Sequence, residues 1–315
     1  MIVIGVDIGG GSMKGGAIND QGVVLDEFSI PMDRFADPEV SFGFLADTII
    51  EFIASHQYDE PIAGVGLGVP GLINKDTGIV ASSPNMPKWL EFNIKKFMED
   101  RLHLPVRLVN DASAAALGEA KFGSGREFNY LVMFTLGTGV GGGVVFEGKL
   151  IDGNEGEGAQ LGHSVIVYNG RRCGCGRKGC LEAYASATAL SKQTKLAIKK
   201  HPESMLKSIA DELGTVNARV AFMAAKKGDK EGLRLVEEYV MYLSEGILNY
   251  CNVFRPDVIV LSGGVANEGE YLISKIRNYI EVRNYGYINA PKVVIKQAEL
   301  GYNSGKIGAA SLFFE

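Results

Sequence analysis

The chain has 315 residues, of which 46% are hydrophobic and 22% are charged, and its formal net charge is −5. This length and apolar content predict one large or two medium-sized domains, and four cysteines in so long a chain do not indicate a disulfide framework. The acidic balance argues against a nucleic-acid or anionic membrane partner, and the absence of a long apolar run or a basic leader predicts a cytoplasmic protein.

The first half of the chain alternates strand-like and helix-like segments. Its predicted elements are strands at 2–6, 14–18 and 23–29, a helix at 40–55, a strand at 62–69, a helix within 87–105, a strand at 106–109 and a helix from 112. The helix at 40–55 is indicated by apolar residues that recur at helical spacing. The strands are short apolar runs bounded by turn residues, and the first two flank a glycine turn that we expect to face a ligand.

The second half repeats the opening arrangement of strand, glycine turn and strand. Its predicted elements are a strand at 130–136, a turn at 137–143, a strand at 144–146, helices at 186–200, 203–213, 216–227 and 230–253, a strand at 258–262, a further helix, a strand at 293–297 and a closing helix at 304–314. Because the arrangement occurs once in each half, we predict two related α/β lobes with a ligand cleft between them. We place the first lobe at 1–118, together with the closing helix at about 303–315, and the second at 119–302.

Three glycine-rich turns follow predicted strands and allow the backbone to approach a nucleotide. In the first turn, N–H groups and the Ser12 hydroxyl can cradle phosphate oxygens, and Asp7 can hold a magnesium ion through water. Each turn alone is equally consistent with a hairpin that binds nothing, but two such turns at matching places predict a phosphate chain held from both sides. The residues that we assign to nucleotide binding are Asp7, Gly9, Gly10, Gly11, Ser12, Gly137, Thr138, Gly139, Gly263 and Gly264.

A carboxylate stands where a strand gives way to a helix of small residues, in the segment VNDASAAALGE at 109–119. Asp111 can accept the proton of an attacking alcohol, and Asn110 can orient the same alcohol. The position is also typical of a helix N-cap. On position alone, the N-cap is the better interpretation of Asp111.

Three of the four cysteines lie close together in RRCGCGRKGCLE, and one of the four histidines precedes them. One imidazole and three thiolates complete a tetrahedral zinc shell, and the glycines between the cysteines let a short loop curl around one ion. His163, Cys173, Cys175 and Cys180 therefore predict a zinc site. Because all four ligands would be protein groups, the site would be structural and would activate no water.

The motifs CGCGRKGCLE, LGTGVGGG, VNDASAAALGE and FRPDVIVLSGG resemble those of the ROK family of sugar kinases and repressors, along essentially the whole chain. The bacterial glucokinases of that family are the most similar members. The resemblance implies an α/β fold of the actin-like ATPase type, in which two ribonuclease-H-like lobes close over ATP and a hexose. It implies phosphorylation of a hexose at the 6-hydroxyl, glucose first, with ATP, Mg²⁺ and a structural Zn²⁺, in a homodimer or homotetramer.

The resemblance also assigns roles to particular residues. Asp111 matches the family's catalytic base, which reverses the N-cap interpretation. His163 matches both a zinc ligand and a neighbour of the sugar, and Glu182 matches a second sugar-binding carboxylate. The residues implied to bind the sugar are Gly68, Asn85, Asn110, Asp111, Gln160, His163 and Glu182.

Three positions depart from the family pattern. Gln160 stands where a glutamate normally accepts a hydrogen bond from the sugar, and an amide forms a weaker, uncharged bond and can also donate. This departure leaves open a kinase for a β-glucoside, N-acetylmannosamine or fructose. Gly11 replaces a common threonine. Lys306 replaces a usually apolar residue, and we favour a solvated side chain over a phosphate contact.

Two other classes of protein compete with a kinase. A sugar-responsive repressor would need a winged-helix segment ahead of the first strand, and Asp7 is reached within seven residues of the first methionine. A sugar sensor without catalysis is disfavoured by Asp111 and by the two glycine turns. The sequence leaves open whether polyphosphate replaces ATP, and it predicts neither a nucleic-acid nor a membrane partner.

Overall fold

The computed structural model describes residues 1–83, 86–286, 289 and 291–314. The chain divides into two compact units, each assembled from separate stretches of sequence. Unit 1 comprises Met1–Leu131, Gly143–Ala159 and Glu299–Glu315, and unit 2 comprises Val132–Gly142 and Gln160–Ala298. The boundary predicted near residue 118 lies within a helix of unit 1, and the assignment of two lobes with a cleft stays a prediction.

Unit 1 begins with a sheet and its covering helices. In chain order these elements are β1 (Ile2–Ile8), β2 (Ser12–Asn19), β3 (Val24–Pro31), α1 (Pro38–Ser55), β4 (Ile62–Val69), β5 (Leu72–Ile73), β6 (Val80–Ser82), α2 (Ile94–Leu102), β7 (Val106–Asn110) and α3 (Asp111–Phe122). Five strands form the sheet in the order β3–β2–β1–β4–β7. β2 is antiparallel to β1 and β3, whereas β4 is parallel to β1 and β7.

The register of this sheet brings the carboxyl ends of three parallel strands side by side. Asp7 of β1 pairs with Gly68 of β4, and Gly68 pairs with Val109 of β7. Asn110 ends β7, and Asp111 begins α3. Ligands of open α/β sheets bind beyond the carboxyl ends of the strands. The register therefore places these polar side chains at the edge of the sheet that such ligands approach.

A second five-stranded sheet and a set of helices follow. The elements are β8 (Tyr130–Leu136), β9 (Val140–Phe146), β10 (Lys149–Leu150), α4 (Glu182–Ala185), α5 (Ala187–Lys200), α6 (Met205–Leu213), α7 (Ala218–Lys226), α8 (Lys230–Phe254), β11 (Val258–Ser262), α9 (Glu270–Glu281), β12 (Val294–Gln297) and α10 (Ser304–Ala310). The strand order is β10–β9–β8–β11–β12. The helices α5, α6, α7 and α8 begin where a side chain caps the backbone, at Ser186, Ser204, Asn217 and Asp229.

Apolar side chains cover both faces of the sheet in unit 1. One face packs against α1 and the segment before α2, where Phe42 and Trp89 are fully buried. The other face carries Val3 and Ile18, which pack against Ile307 of α10. Each such side chain contributes roughly 1.5–3 kcal/mol by burial. The residues of β1 are thus apolar on both faces, because the strand lies in the middle of a covered sheet.

Glycines allow α10 to lie directly on the backbone of the sheet. A Cβ on Gly66 would lie 2.0 Å from the carbonyl oxygen of Ala309, and a Cβ on Gly5 would lie 2.0 Å from the carbonyl oxygen of Lys306. Gly118 of α3 approaches the start of α10 in the same way. Because no Cβ fits at these distances, the position of α10 depends on the absence of side chains at these residues.

Most predicted elements are confirmed, with differences at their ends. The strands at 62–69, 130–136 and 258–262 have the predicted bounds. The turn predicted at 137–143 is wrong in extent, because β9 already begins at Val140. The closing helix ends at Ala310, since the chain continues in single turns, with the Leu312 N–H donating to the Ala309 carbonyl. Among the described helices, none combines the length and apolarity needed to cross a membrane.

Candidate functional site

Asp111 begins α3 at the point where β7 ends, and it is half-buried. Its Oδ1 accepts the N–H of Ala112 at 2.9 Å, so the backbone of the helix fixes one carboxylate oxygen. Burial raises the pKa of the Asp111 carboxyl, and the hydrogen bonds from the Ala112 backbone and the Asn110 side chain act against this rise. A raised pKa makes a carboxylate a better proton acceptor for an alcohol.

The helix N-cap is Asn110, so the interpretation of Asp111 as the cap is wrong. The Oδ1 of Asn110 accepts the N–H groups of Ala112 at 3.0 Å and Ser113 at 3.2 Å. Its Nδ2 donates to the carbonyl oxygen of Gly71 at 3.0 Å. The capping requirement is therefore met one residue earlier, which leaves Asp111 available for chemistry. A sugar contact of Asn110 would use its second amide hydrogen and stays a prediction.

Asp7 is the second carboxylate at this edge of the sheet. Burial, followed by the nearby charge of Asp111, raises the pKa of Asp7 to about 6, while Lys14 and Lys306 oppose the rise. A Cβ on Gly305 would lie 2.6 Å from Cγ of Asp7, so α10 packs directly on this side chain. A buried carboxylate whose pKa is raised further by a second carboxylate gains from a nearby cation, and oxygen donors of this kind suit Mg²⁺.

The first glycine turn lies between β1 and β2, next to Asp7. The Gly9 N–H donates to the carbonyl oxygen of Ser12 at 2.9 Å, and the Gly11 carbonyl accepts the N–H of Met32 at 3.1 Å. A Cβ on Gly10 or Gly11 would meet nothing within 4 Å, so the backbone of the turn is open to an incoming group. Gly68 lies in the same region, where its Cβ would be 3.7 Å from Cα of Asp111.

The second glycine turn lines a cavity of about 480 Å³ within unit 2. The lining residues are Leu136, Gly137, Thr138, Ala187, Thr188, Ser191, Lys192, Lys195, Asn217, Ala218, Phe222, Gly264, Val265 and Glu268. Gly263 has a φ of +86° and brings its backbone against Leu136, where a Cβ would lie 2.6 Å from the carbonyl oxygen. The cavity combines an apolar floor with hydroxyls and ammonium groups at its rim, which suits an aromatic base attached to phosphates.

Two exposed lysines at this cavity were not predicted from the sequence. Lys192 and Lys195 lie on α5 with Thr188 and Ser191, and all four line the cavity. Their spacing, at 188, 191, 192 and 195, places them on one face of the helix. These four polar residues on one face of the predicted helix at 186–200 are the pattern from which the two lysines could have been predicted.

The four predicted zinc ligands lie together in unit 2. One ligand atom from each of His163, Cys173, Cys175 and Cys180 lies within 4.8 Å of all the others. The Sγ atoms of Cys175 and Cys180 are 3.7 Å apart, and Nδ1 of His163 is 3.6 Å from Sγ of Cys173. Ordinary zinc bond lengths and tetrahedral angles give edges of about 3.8 and about 3.6 Å. The residues thus fit a zinc ion of closed coordination.

Glu182 connects this cluster to the second glycine turn. Its Oε1 lies 3.4 Å from Sγ of Cys173, and its Oε2 accepts the N–H of Val140 at 3.1 Å. A Cβ on Gly139 would lie 2.3 Å from Oε2, so this glycine is packed against the carboxylate. Gly139 therefore packs against the carboxylate of Glu182, whereas Gly137 and Thr138 line the cavity.

Gln160 and Asn85 remain predictions for the sugar site. Gln160 is exposed, and its carbonyl oxygen accepts the N–H of His163 at 3.0 Å. The preceding residue, Ala159, has a φ of +57°, which is rare for a residue with a side chain. Asn85 lies outside the described residues.

The expectation of a solvated Lys306 is wrong. The residue as a whole is 3% exposed, and Nζ donates to Oε2 of Glu27 at 2.6 Å. All seven residues of α10 are buried. The lysine is the only charged residue in the run SGKIGAA, and this composition is the local feature that indicates a buried helix.

Comparison with known proteins gives a consistent assignment over the whole chain. The sequence profile described as the ROK family matches residues 3–315. The glucokinase of Thermotoga maritima is 36% identical over 99% of this chain and 97% of its own length. The glucokinase of Halalkalibacterium halodurans is 34% identical over 98% of this chain and 94% of its own length.

Solved structures give the same assignment. The ROK family glucokinase from Streptomyces griseus, in complex with glucose and AMPPNP, superposes with a TM-score of 0.82 and 31% identity, and the match covers 99% of both chains. The ROK hexokinase from Thermus thermophilus superposes with a TM-score of 0.81 and 30% identity. The similarity therefore includes the arrangement of the backbone as well as the motifs.

Proposed function

Since the chain belongs to the ROK family and has its actin-like ATPase fold, we propose that it is an ATP-dependent sugar kinase that converts glucose to glucose 6-phosphate. The observation that carries this proposal is the placement of Asp111 beside Asp7 and Gly68 at the carboxyl ends of parallel strands. Full-length similarity to two glucokinases supports the same activity.

Asp111 is the base in this proposal. The 6-hydroxyl oxygen forms a bond to the γ-phosphorus, the bond from that phosphorus to the β–γ bridging oxygen breaks, and ADP leaves. The carboxylate of Asp111 takes the hydroxyl proton as the new bond forms. Support comes from the N–H of Ala112, which holds one oxygen of the carboxylate, and from burial, which raises the pKa of the group.

The cavity in unit 2 binds the nucleotide in this proposal. Leu136, Phe222 and Val265 supply apolar surface for an adenine ring, and Thr138 supplies a hydroxyl for phosphate. AMPPNP, which the Streptomyces griseus relative binds, stands in for ATP with an imide in place of the β–γ bridging oxygen. Polyphosphate has no base to fill the apolar floor, so the cavity favours ATP as donor.

Two metal ions complete the proposed enzyme. Mg²⁺, when bound, neutralises charge on the transferring phosphoryl group, and Asp7 is the residue that we assign to hold it through water. Zinc supplies no chemistry here, because His163, Cys173, Cys175 and Cys180 fill its coordination. Its role is to fix the loop that carries His163 and, through Glu182, to support the second glycine turn.

Gly68, Asn85, Asn110, Gln160, His163 and Glu182 are the residues that we assign to the sugar. Gln160 is the residue on which the identity of the sugar depends, because an amide replaces the usual carboxylate. The alternative substrates are a β-glucoside, N-acetylmannosamine and fructose. A cytoplasmic location and assembly into a homodimer or homotetramer also stay predictions of the family resemblance.

Coupled measurement of ADP release tests the proposed base. Asp111→Asn retains the shape of the side chain and an oxygen for the Ala112 N–H, so the fold and sugar binding should persist. We expect kcat to fall by about 10²- to 10⁴-fold. Asp100→Asn, an exposed residue of α2, is the matched control and should keep normal turnover. Near-normal turnover in Asp111→Asn would exclude the proposed role.

A sugar panel tests the substrate. We expect the wild type to release ADP fastest with glucose, and Gln160→Glu to change the order of preference among glucose, N-acetylmannosamine and fructose. An unchanged order would show that Gln160 does not select the sugar. Sugar binding without ADP release for every sugar would instead indicate the non-catalytic sensor.

A further inference from the structure

A short turn carries two of the residues that we assign to the sugar. Gln160 precedes a single 3-10 turn at Leu161–His163, and the Gln160 carbonyl accepts the N–H of His163 at 3.0 Å. His163 also belongs to the metal cluster. The geometry of the turn at 160–163 therefore determines where both side chains lie, so the contacts that hold this turn bear on sugar binding.

The chain enters this turn through a backbone conformation that few residues adopt. Ala159 has a φ of +57°, in the left-handed region that is unfavourable for a residue with a Cβ. Such a residue keeps its conformation only where the surrounding structure determines it. The turn at 160–163 therefore depends on contacts from neighbouring elements.

The strand β9 and the residue before it in the sheet provide the first contact, by close packing. A Cβ on Gly162 would lie 1.9 Å from the carbonyl oxygen of Val140, and a Cβ on Gly142 would lie 2.5 Å from Cδ1 of Leu161. Leu161 is 2% exposed. Because the backbone carbonyl of so buried a residue needs a hydrogen-bond donor, the packing creates a requirement that a second element can meet.

Tyr250 of α8 meets this requirement with a hydrogen bond. Its phenolic hydroxyl donates to the Leu161 carbonyl oxygen at 2.7 Å. Ser164, in the same segment as the turn, donates to this oxygen as well, from Oγ at 3.1 Å and from its N–H at 3.4 Å. The Tyr250 bond is shorter than both, and it links the turn to a long helix within unit 2.

The ring of Tyr250 is held independently of its hydroxyl. It packs edge-on against Phe134 of β8, with ring centroids 5.7 Å apart, and it stacks on Phe254 of α8 at 6.2 Å. Burial raises the pKa of the Tyr250 hydroxyl, so the group stays protonated at neutral pH and remains a donor. A change that removes only the hydroxyl therefore leaves the ring in place and breaks one link to the turn.

We propose that Tyr250 is a positioning residue for the sugar: through the Leu161 carbonyl, its hydroxyl holds the turn at 160–163 in the geometry that presents Gln160 and His163 to the substrate. This inference rests on the proposed function, because it takes these two residues as sugar contacts. Tyr250 is not among the described residues that line the nucleotide cavity. It therefore changes sugar affinity and leaves donor affinity unaffected.

Two hydroxyl deletions separate this role from a general contribution to the fold. Tyr250→Phe keeps a ring that packs against Phe134 and Phe254 and loses only the donor to the turn. Tyr279→Phe is the matched control, because the Tyr279 hydroxyl of α9 bonds to Glu245 of α8 at 2.6 Å on the exposed surface. Each variant loses one phenolic bond that links α8 to another segment, and only Tyr250→Phe releases the turn.

Calorimetry with glucose and, separately, with ADP compares binding, and steady-state kinetics compares turnover. In Tyr250→Phe we expect the Kd for glucose and the sugar KM to rise about three- to tenfold, as the loss of one hydrogen bond implies. The Kd for ADP should stay within about twofold and kcat within about threefold. In Tyr279→Phe we expect every constant to stay within about twofold of the wild type.

An unchanged Kd for glucose in Tyr250→Phe would overturn the inference. An equal rise in the constants for glucose and for ADP would overturn it as well, because that result would indicate a general loosening of the fold. A wild type that releases no ADP with any sugar contradicts the proposed function instead.

Amide hydrogen exchange decides about Tyr250 without any substrate. The His163 amide, which bonds to the Gln160 carbonyl, should exchange about three- to tenfold faster in Tyr250→Phe than in the wild type, because the turn opens more often. The amides of β8 should keep their rates. An unchanged exchange rate at His163 would show that the hydroxyl does not hold the turn.

Discussion

Asp7 is kept in surroundings that disfavour its own charge. Burial and the neighbouring Asp111 raise its pKa to about 6, against the effects of Lys14 and Lys306. A folded protein keeps such a group at a cost in stability, which is common where binding needs an uncompensated charge. Asp7 is thus better explained as a ligand for a cation than as a contributor to the fold.

Replacement of Asp7 should therefore stabilise the protein in the absence of metal and nucleotide. The pKa of Asp7 rises from 3.8 to about 6 on folding, so the folded protein binds more protons between these values. The Asp7 contribution to stability is fully present below pH 3.8 and is lost as pH rises through 6. We expect Asp7→Asn to increase the free energy of unfolding at pH 7.5 by about 1–3 kcal/mol, and to flatten its pH dependence.

Urea unfolding of the wild type and of Asp7→Asn at pH 5 and pH 7.5 measures this effect. Asp100→Asn, which changes an exposed carboxylate, should leave stability within about 0.5 kcal/mol at both values. An Asp7→Asn protein that is less stable than the wild type at pH 7.5 would show that the carboxylate supports the fold.

Single residues differ in how well the sequence reveals them. The cysteine spacing indicates a zinc cluster because the four ligands lie close together in the chain. The role of Asp111 is harder to predict from the sequence, because a shift of one residue decides whether a carboxylate caps a helix. Only the fold shows that Asn110 is the cap. Lys306 is buried beside its ion-pair partner Glu27, which is far away in sequence and is not indicated by any local pattern.

The helix α10 illustrates how a single element depends on positions without side chains. Its backbone lies against Gly5 and Gly66 of the sheet, and its residues Ile307 and Ala310 complete an apolar cluster with Val3. A methyl group at the contact forces the helix away from the sheet, since a packed interior does not absorb extra volume freely.

Gly66→Ala should therefore be strongly destabilising. Its Cβ would lie 2.0 Å from the carbonyl oxygen of Ala309, and we expect a loss of about 3 kcal/mol or more in the free energy of unfolding. Gly43→Ala in α1 is the control. Its Cβ would lie 3.5 Å from the Arg101 side chain of α2, which is an ordinary contact distance. The control should gain about 0.5–1 kcal/mol from helix propensity.

Chemical denaturation of the two glycine variants provides the measurement. A loss below about 1 kcal/mol in Gly66→Ala would mean that α10 can shift without cost. That result would contradict the close packing described for this helix.

The loop from His163 to Glu182 should depend on its metal. Elemental analysis is expected to find about one zinc per chain. Cys175→Ser should lose that zinc and lower the melting temperature, because an incomplete ligand set leaves the remaining thiols unbridged. Since Glu182 contacts both Cys173 and Val140, the loss of zinc should also weaken ADP binding.

Cys251→Ser is the matched control, because this buried cysteine of α8 lies apart from the cluster. It should retain one zinc and the ADP affinity of the wild type. A zinc-free protein with normal melting and normal ADP binding would contradict the structural role of the loop.

At the scale of the whole molecule, each unit is assembled from separate stretches of the chain, an arrangement that local sequence patterns do not indicate. Helical and strand spacing are local signals, and they place most elements correctly. We place the closing helix at about 303–315 with the first lobe, and residues 299–315 lie in unit 1, but helical and strand spacing by themselves do not indicate this return. Buried Glu119 of α3 holds that return, because its carboxylate accepts the N–H groups of Ser124, Glu299 and Leu300. Only the fold brings these residues together.

The late position of α10 in the chain has a consequence for biosynthesis. A ribosome delivers the sheet of unit 1 first, then all of unit 2, and only afterwards the helix that covers Gly5 and Gly66. The nascent protein can thus complete unit 2 while the part of unit 1 that α10 covers is still exposed, a stage at which exposed apolar surface favours aggregation. Gly5 and Gly66, which contact the backbone of α10, can form these contacts only after the last residues of the chain have been synthesised.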